Sequence, residues 1–217
     1  MNTRIRRTAV ALAAAAVLPL ALTACSDDGG GDSAASDSAE ETSAPPADNG
    51  TGSESTVAAD KPFGAACSTV PTSGSGSFDG MAQDPVATAA SNNPALSTLV
   101  TAVKKAGLVD TLNNAQGITV FAPTNDAFAK IPKATLDKVL NDKAQLTKIL
   151  TYHVVGQQLT PADLGNGSFD SLEKSKLTTS GSGESYTVGG SAKVVCGNVK
   201  TANANVYILD SVLMPAA

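Results

Sequence analysis

Residues 118–128 read ITVFAPTNDAF, and this stretch decides the fold of the 217-residue chain. Its β-branched and aromatic beginning, Ile118–Phe121, predicts a short buried strand. A turn through Pro123 follows, and Thr124 is suited to cap a helix that continues to Ala129. The stretch therefore predicts a strand, a turn and a helix in immediate succession.

Helical patterns precede this stretch and also follow it. Apolar residues at helical spacing predict an amphipathic helix over residues 94–106, with Asn92 or Asn93 as its cap. Other short helices are predicted over residues 108–112, 133–140 and 145–150. Residues 67–80 are rich in Ser, Gly and Thr, so we expect a loop there.

The C-terminal part of the chain is strand-like. Short strands, separated by glycine pairs and by Gly-Asn, are predicted over residues 152–155, 171–178, 185–188, 192–196 and 205–213. Because the helices mostly precede the strands, we expect the α+β class and not a repeating βαβ unit.

Two further stretches complete a pattern that the first one begins. They are YHVV at residues 152–155 and VYILDSVLMP at residues 206–215. In their order and separation, the three stretches resemble the fasciclin (FAS1) family over about residues 80–216. The resemblance implies a single domain, a wedge of short β-strands with several helices packed on one side. It also implies surface display with an adhesion-type or ligand-binding role, and it brings no catalytic activity.

Two other segments are similar to mycobacterial members of this family, a surface lipoprotein and a related secreted antigen. They are GMAQDPVATAASNNP at residues 80–94 and TANA at residues 201–204. Those family members also pair an early cysteine with a late one. The likeness implies an exported lipoprotein of actinobacterial type.

The first residues have the pattern of a lipoprotein signal peptide, residues 1–24. Three arginines form a positively charged N-terminal region. The apolar run that follows, over residues 8–22, is shorter than the about 20 residues that a membrane-spanning helix needs. The sequence LTAC then resembles a bacterial lipobox, in which the thiol of Cys25 receives a diacylglyceryl group. We expect export by the Sec or twin-arginine route, and anchoring on the outer face of the cytoplasmic membrane, at the cell surface.

The segment after Cys25 has a different composition. Residues 26–60 contain nine acidic residues and no basic one, and Val57 is their only large aliphatic residue. Such a segment cannot bury enough apolar surface to fold, so residues 25–60 are expected to be a lipidated cysteine followed by a disordered acidic tether. As a coil it would span roughly 30–35 Å. An acidic binding tail is the alternative interpretation.

Residues 61–217 carry the fold, and their charges argue against one class of partner. They contain 12 lysines and 11 acidic residues, which leaves a net charge of +1, and they contain no arginine. Without guanidinium groups, bidentate recognition of phosphates is not available. We therefore expect no nucleic-acid partner and a monomeric domain.

The two cysteines of the domain most simply form one disulfide in an exported protein, between Cys67 and Cys196. A metal site is the rival interpretation. The spacing contains no Cys-x-x-Cys and the chain has a single histidine, His153, so structural zinc is disfavoured. We expect no metal and no cofactor.

A possible binding surface surrounds the Tyr-His pair. In some animal fasciclin domains this pair and its apolar flanks are implicated in integrin adhesion. The matching residues here are Ile149, Leu150, Tyr152, His153 and Val154. A second animal adhesive motif, an Asp-Ile pair before the third stretch, is absent, because that region reads CGNVK at residues 196–200. The same apolar residues could equally be ordinary core.

His153 also has to be weighed as a catalytic residue. A catalytic histidine needs a nucleophile and an orienting carboxylate, for which Asp126 or Asp210 could serve, but the sequence has no Gly-x-Ser-x-Gly elbow and no cysteine nucleophile. We therefore expect no enzyme. Our hypothesis is that His153 pins the turn that contains Thr124, Asn125 and Asp126, a structural motif to which Asp210 also belongs.

Two functions remain. The first is a cell-surface-anchored adhesion or protein-interaction module, whose partner is an unknown extracellular protein or cell-wall polymer. The alternative is an extracytoplasmic binder or carrier of a small apolar ligand such as a lipid. Its site would be an apolar groove beside the short helices, bordered by Leu136, Val139, Leu140, Leu146, Ile149 and Leu150.

Overall fold

A computed structural model of the protein describes residues 61–215. The predicted signal peptide, Cys25 and the acidic tether lie outside the described residues. Across residues 61–215, no helix is both long enough and apolar enough to cross a membrane.

Seven α-helices lie between residues 61 and 215. They are α1 (Phe78–Gln83), α2 (Val86–Ser91), α3 (Ser97–Ala106), α4 (Val109–Asn114), α5 (Asn125–Ala129), α6 (Lys133–Asn141) and α7 (Lys143–Tyr152). Side-chain caps explain where several of them start. Thr124 accepts a hydrogen bond from the N–H of Ala127 at 3.1 Å, and Asp142 accepts two from the first turn of α7. Gly107 ends α3 in the left-handed conformation, with a φ of 75°.

Seven strands in the same part of the chain form one mixed sheet. They are β1 (Ile118–Pro123), β2 (Val154–Val155), β3 (Asn166–Asp170), β4 (Lys176–Ser182), β5 (Ser185–Val188), β6 (Ala192–Lys200) and β7 (Ala204–Leu209). Their order in the sheet is β2-β1-β7-β6-β5-β4-β3. The β1–β7 pair is parallel, and the other neighbouring pairs are antiparallel.

The parallel pair β1–β7 lies between two separate cores. All six residues of each strand are buried, yet alternate side chains point to opposite faces. Val120 and Val206 pack under the helices, whereas Phe121 and Tyr207 belong to the second core, inside the curved sheet. This double burial explains why both strands are almost continuously apolar in sequence.

The sheet curves until its two ends meet. Val155 in β2 forms a bridge with Ser171, which follows β3, and the N–H of Leu172 donates to the carbonyl of Val154 at 2.7 Å. The strands therefore form a near-barrel wedge, and the helices pack against the outer face of β1, β6 and β7.

The first described residues fill one part of the wedge. Phe63 pairs with Gly197 through two backbone hydrogen bonds, of 3.1 and 2.8 Å, and its ring lies 5.5 Å from that of Tyr186. Cys67 is joined to Cys196 by a disulfide, so this segment is fixed to β6 at two neighbouring points.

The α+β class and the wedge with helices packed on one side are confirmed, whereas several element boundaries were wrong. The predicted strand over residues 171–178 is a turn at Ser171–Ser175 followed by the start of β4, and β3 was not predicted at all. Of residues 152–155 only Val154–Val155 is a strand, because Tyr152 ends α7.

Other boundaries also differ, and the helices expected over residues 108–112 and 145–150 are Val109–Asn114 and Lys143–Tyr152. The 192–196 strand continues to Lys200, the 205–213 strand ends at Leu209, and the expected 67–80 loop contains a 3₁₀ turn and the start of α1. β3 and the extension of β6 depend on pairing with neighbouring strands, which the local pattern does not encode.

Candidate functional site

The turn after β1 joins two helices through neighbouring side chains. Thr124 caps its own helix, α5, and Asn125 reaches across to the start of α3. The Oδ1 atom of Asn125 accepts from the N–H of Thr98 at 2.9 Å, and its Nδ2 donates to the carbonyl of Pro94 at 2.9 Å. Asp126 is exposed in the first turn of α5. The motif therefore works as a connector of helices.

Asp210 lies beside this turn because Leu209 pairs with Pro123 in the sheet. Its Oδ1 accepts from the N–H of Lys193 at 2.9 Å, and its Oδ2 forms an ion pair with Lys130 at 3.2 Å. Burial alone would raise the pKa of Asp210, but the hydrogen bonds from Lys193 and Lys130 outweigh it and lower that pKa. The carboxylate thus ties the start of β6 to the end of β7.

His153 is buried, with 2% of its surface exposed, and both of its ring nitrogens contact backbone groups. Its Nε2 accepts from the N–H of Leu213 at 3.0 Å, so its Nδ1 carries the proton and donates to the carbonyl of Ile149 at 2.8 Å. Burial lowers the pKa of His153 to about 4, although the hydrogen bond to Ile149 acts in the opposite direction.

The hypothesis that His153 pins the Thr124–Asp126 turn is therefore wrong. The imidazole joins the end of α7 to the segment after β7, at Leu213, while only the backbone carbonyl of His153 contacts β1, where it accepts from Phe121 at 2.9 Å. With both nitrogens bound to backbone, the ring is a structural bridge.

The proposed binding surface around the Tyr-His pair is not a surface in this structure. Its five residues, Ile149, Leu150, Tyr152, His153 and Val154, are between 2% and 8% exposed. Ile149, Leu150 and Val154 belong to the core under the helices, and Tyr152 belongs to the core of the wedge, where its hydroxyl donates to the backbone carbonyl of Lys176 at 3.3 Å. The geometry therefore supports the interpretation that these residues are ordinary core.

The predicted groove beside α6 and α7 is real but very small. All six expected residues line it, together with Phe128, Val212 and Met214. The space inside is about 10 Å³, which is about what one water molecule needs. It cannot hold a lipid chain without a rearrangement of the helices.

A larger cavity lies elsewhere, between α2, α3 and α4 and the outer face of the sheet. Its volume is about 60 Å³, and its walls include Leu99, Val103, Leu112, Val120, Val206 and Ile208. No local pattern predicts this cavity, because its walls combine α2, α3 and α4 with strands such as β7, which lies about 100 residues further along the chain.

Metal binding has no candidate in the described part of the chain. Between residues 61 and 215, no group of three or more His, Cys, Asp or Glu side chains could hold a metal ion.

Comparison with known proteins gives a consistent result. The sequence matches the family model of the Fasciclin domain over residues 94–215. The Immunogenic protein MPB70 of Mycobacterium bovis is 52% identical over 149 residues, which cover 66% of this chain and 76% of that protein. Cell surface glycolipoprotein MPB83 of the same species is 51% identical over 149 residues, 66% of either chain.

A solved structure shares the fold. The FAS1 domain pair from the insect cell adhesion molecule Fasciclin I superposes with a TM-score of 0.51 at 20% sequence identity. The match covers 63% of this chain and 52% of that one. At this identity the similarity concerns the fold alone.

Proposed function

The chain belongs to the fasciclin domain family, as its three quoted stretches predicted, and from this premise we propose that it is a lipid-anchored adhesion or protein-interaction module of the cell surface. The observation that best supports this proposal is that polar side chains of the family motif make structural contacts within the domain. His153, Asn125 and Asp210 are all bound to other parts of the domain, so the domain is built as a rigid body that presents its exterior to a partner.

The relatives support a surface role. One of them is named a cell surface glycolipoprotein and another an immunogenic protein. In our proposal, residues 1–24 direct export, Cys25 carries the lipid, and residues 26–60 hold the domain away from the membrane. The domain then contacts an extracellular protein or a cell-wall polymer as a monomer, without catalysis.

The adhesion proposal can be tested on living cells. The full chain would be produced, with its own signal peptide, in a non-adherent actinobacterial host, and attachment of the cells to immobilised host cells and to cell-wall polymer would be counted. We expect attachment above that of the empty host, and less attachment when residues 26–60 are deleted. If cells with the wild-type chain on their surface attach to neither material, the adhesion proposal is wrong.

The anchor can be tested with the same strains. Cys25→Ser removes the thiol that would receive the diacylglyceryl group, so this variant should leave the membrane fraction and appear in the medium. The released protein should then compete with anchored cells for attachment. Retention of the Cys25→Ser protein on membranes, as firm as that of the wild type, would rule out the lipid anchor.

A further inference from the structure

The cavity under α3 has the chemical character of a ligand site for an uncharged molecule. No Lys, Arg, Asp or Glu is among the described residues that line it, and most of its walls are aliphatic. Its volume of about 60 Å³ corresponds to roughly four to six water-sized spheres. It can therefore hold about four to six non-hydrogen atoms, either a small molecule or the end of a longer one.

One polar group in the wall lacks a partner. Asn93 is 3% exposed, and its Oδ1 accepts from the N–H of Ala95 at 3.0 Å. Its Nδ2 is buried and has no hydrogen-bond partner within residues 61–215. Buried amide groups are rarely left unpaired, because the lost hydration is not replaced.

The other polar side chains of the wall differ from Asn93. The hydroxyls of Ser91, Thr151 and Thr201 each donate to a backbone carbonyl, at 2.8 to 3.0 Å. Both nitrogens of His153 are also occupied, and Thr111 is exposed to solvent. Among the described residues of the wall, the Asn93 amide is thus the buried side-chain donor that has no partner in the domain.

The cavity also reaches the surface. Leu172 is part of its wall and is 42% exposed, and Val100 and Leu108 in the same wall are half-buried. A small molecule can enter at such a boundary, and a longer one can leave part of its chain outside.

We propose that this cavity binds an uncharged, mainly hydrocarbon molecule whose ester or ketone oxygen accepts a hydrogen bond from Nδ2 of Asn93. A carboxylate does not fit, because the wall has no cation to pair with it and burying an unpaired charge is costly. The site is independent of the proposed adhesion role, so either proposal can fail while the other holds.

Three small compounds of matched size test this chemistry. They are 2-pentanone, which has an acceptor oxygen, pentane, which has none, and butanoate, which is charged. Each would be titrated into the chain carrying Cys25→Ser, so that no detergent is needed, and NMR would follow the methyl signals of the cavity wall and the side-chain amide of Asn93. We expect saturable methyl shifts with 2-pentanone and pentane, an amide shift with 2-pentanone alone, and no binding of butanoate.

Variants separate the cavity from the hydrogen bond. Asn93→Ala removes the amide donor without placing a charge in the wall, and Asn93→Ser keeps a helix cap without the amide. Both variants should weaken the binding of 2-pentanone by about threefold to tenfold, which is the contribution of one hydrogen bond. The affinity for pentane should stay unchanged. Val100→Phe should fill the cavity and abolish the binding of both compounds. Leu136→Phe, which lies at the small groove beside α6 and α7, should leave the binding of both compounds intact.

Three results would overturn the proposal. Absence of saturable binding of both 2-pentanone and pentane to the folded chain would show that the cavity is not a ligand site. Equal affinity of 2-pentanone for the wild type and for folded Asn93 variants would show that Asn93 does not recognise an oxygen. Loss of binding in Leu136→Phe with retention in Val100→Phe would place the ligand in the other groove.

Discussion

At the scale of single residues, buried polar side chains connect segments that are far apart in sequence. Asn203, between β6 and β7, is the best example. Its Oδ1 accepts from the N–H of Val86 at 2.8 Å, and its Nδ2 donates to the carbonyls of Leu112 at 2.8 Å and Ala115 at 2.6 Å. One amide thereby holds the start of α2 and the end of α4 against the sheet.

Replacing Asn203 by Asp should be severely destabilising. The change keeps the acceptor for Val86 but places a carboxylate against carbonyl oxygens, and leaving a buried charge uncompensated costs roughly 3–5 kcal/mol. Chemical denaturation at pH 7 would measure the loss. Asn114→Asp, at an exposed position of α4, is the matched control and should change the free energy of unfolding by about 0.5 kcal/mol or less. Similar losses in the two variants would contradict the role of Asn203.

The buried imidazole of His153 should make stability depend on pH. The unfolded chain takes up a proton near pH 6.5, whereas the native ring, with a pKa of about 4, does not. Between these values the unfolded state binds more protons, so the free energy of unfolding should fall as the pH is lowered from 6.5 to 4. The fall should be about 3 kcal/mol at most, since one pKa unit corresponds to about 1.4 kcal/mol.

Urea denaturation between pH 7 and pH 4 would check this dependence. Asp163 and Asp210 have lowered pKa values, so their stabilising contributions are lost below this window. His153→Gln removes the titrating group and should be less stable at pH 7, with a nearly flat profile between pH 6.5 and 4. A slope in this variant equal to that of the wild type would assign the titration to other groups.

At the scale of elements, helices in this domain are capped partly by their neighbours. Leu96 precedes α3 and has no side-chain acceptor to cap it, so the N–H of Thr98 is satisfied by Asn125, the first residue of α5. The turn after β1 therefore sets the position of α3 over the sheet, in addition to starting its own helix. Since α3 lines the larger cavity, the same turn also sets the position of one cavity wall.

Two substitutions in this turn should loosen different helices. Asn125→Ala should expose the first N–H groups of α3, and Thr124→Ala should expose those of α5, each at a cost of roughly 1–2 kcal/mol. Amide hydrogen exchange would locate the effect, with faster exchange at Thr98 in the first variant and at Ala127 in the second. If Asn125→Ala leaves exchange in α3 unchanged, the connection between the two helices is not energetically important.

At the scale of the whole domain, a segment outside the Fasciclin domain match packs into the inner core of the wedge. The family match begins at residue 94, whereas Phe63 and Cys67 precede it. Phe63 occupies the inner core with Tyr186 and Tyr207, and the disulfide to Cys196 fixes the segment on β6. The start and the end of the domain are thus held together by packing and by a covalent bond.

Removing the disulfide should destabilise the domain without unfolding it. For a loop of 129 residues, the chain-entropy model gives roughly 4–5 kcal/mol, and the packing of Phe63 should reduce the loss. Cys67→Ser combined with Cys196→Ser would be compared with the oxidised chain by chemical denaturation. Thiol labelling of the unfolded, exported protein should find neither cysteine free, and two free thiols would refute the disulfide in the exported protein.

The sequence by itself determined the features that depend on near neighbours. Thr124 and Asp142 follow local capping rules, the apolar spacing in α3 fixes its buried face, and the apolar runs of β1 and β7 mark strands buried on both sides. The succession of helices and then strands was enough for the α+β class, and the order of the quoted stretches was enough for the family. These features could be predicted because each of them is stabilised mainly within a few residues of chain.

The tertiary structure decided everything that needs a partner far along the chain. β3 is a polar strand at the end of the sheet order, and β4, between β3 and β5, is also largely polar, so only their pairing and the Ser171–Ser175 turn reveal their bounds. The choice of Leu213 as the partner of His153, across 60 residues, has no local pattern. The cavity with its unpaired Asn93 amide likewise exists only after α2, α3 and α4 pack on the sheet, because packing leaves space that no single segment encodes.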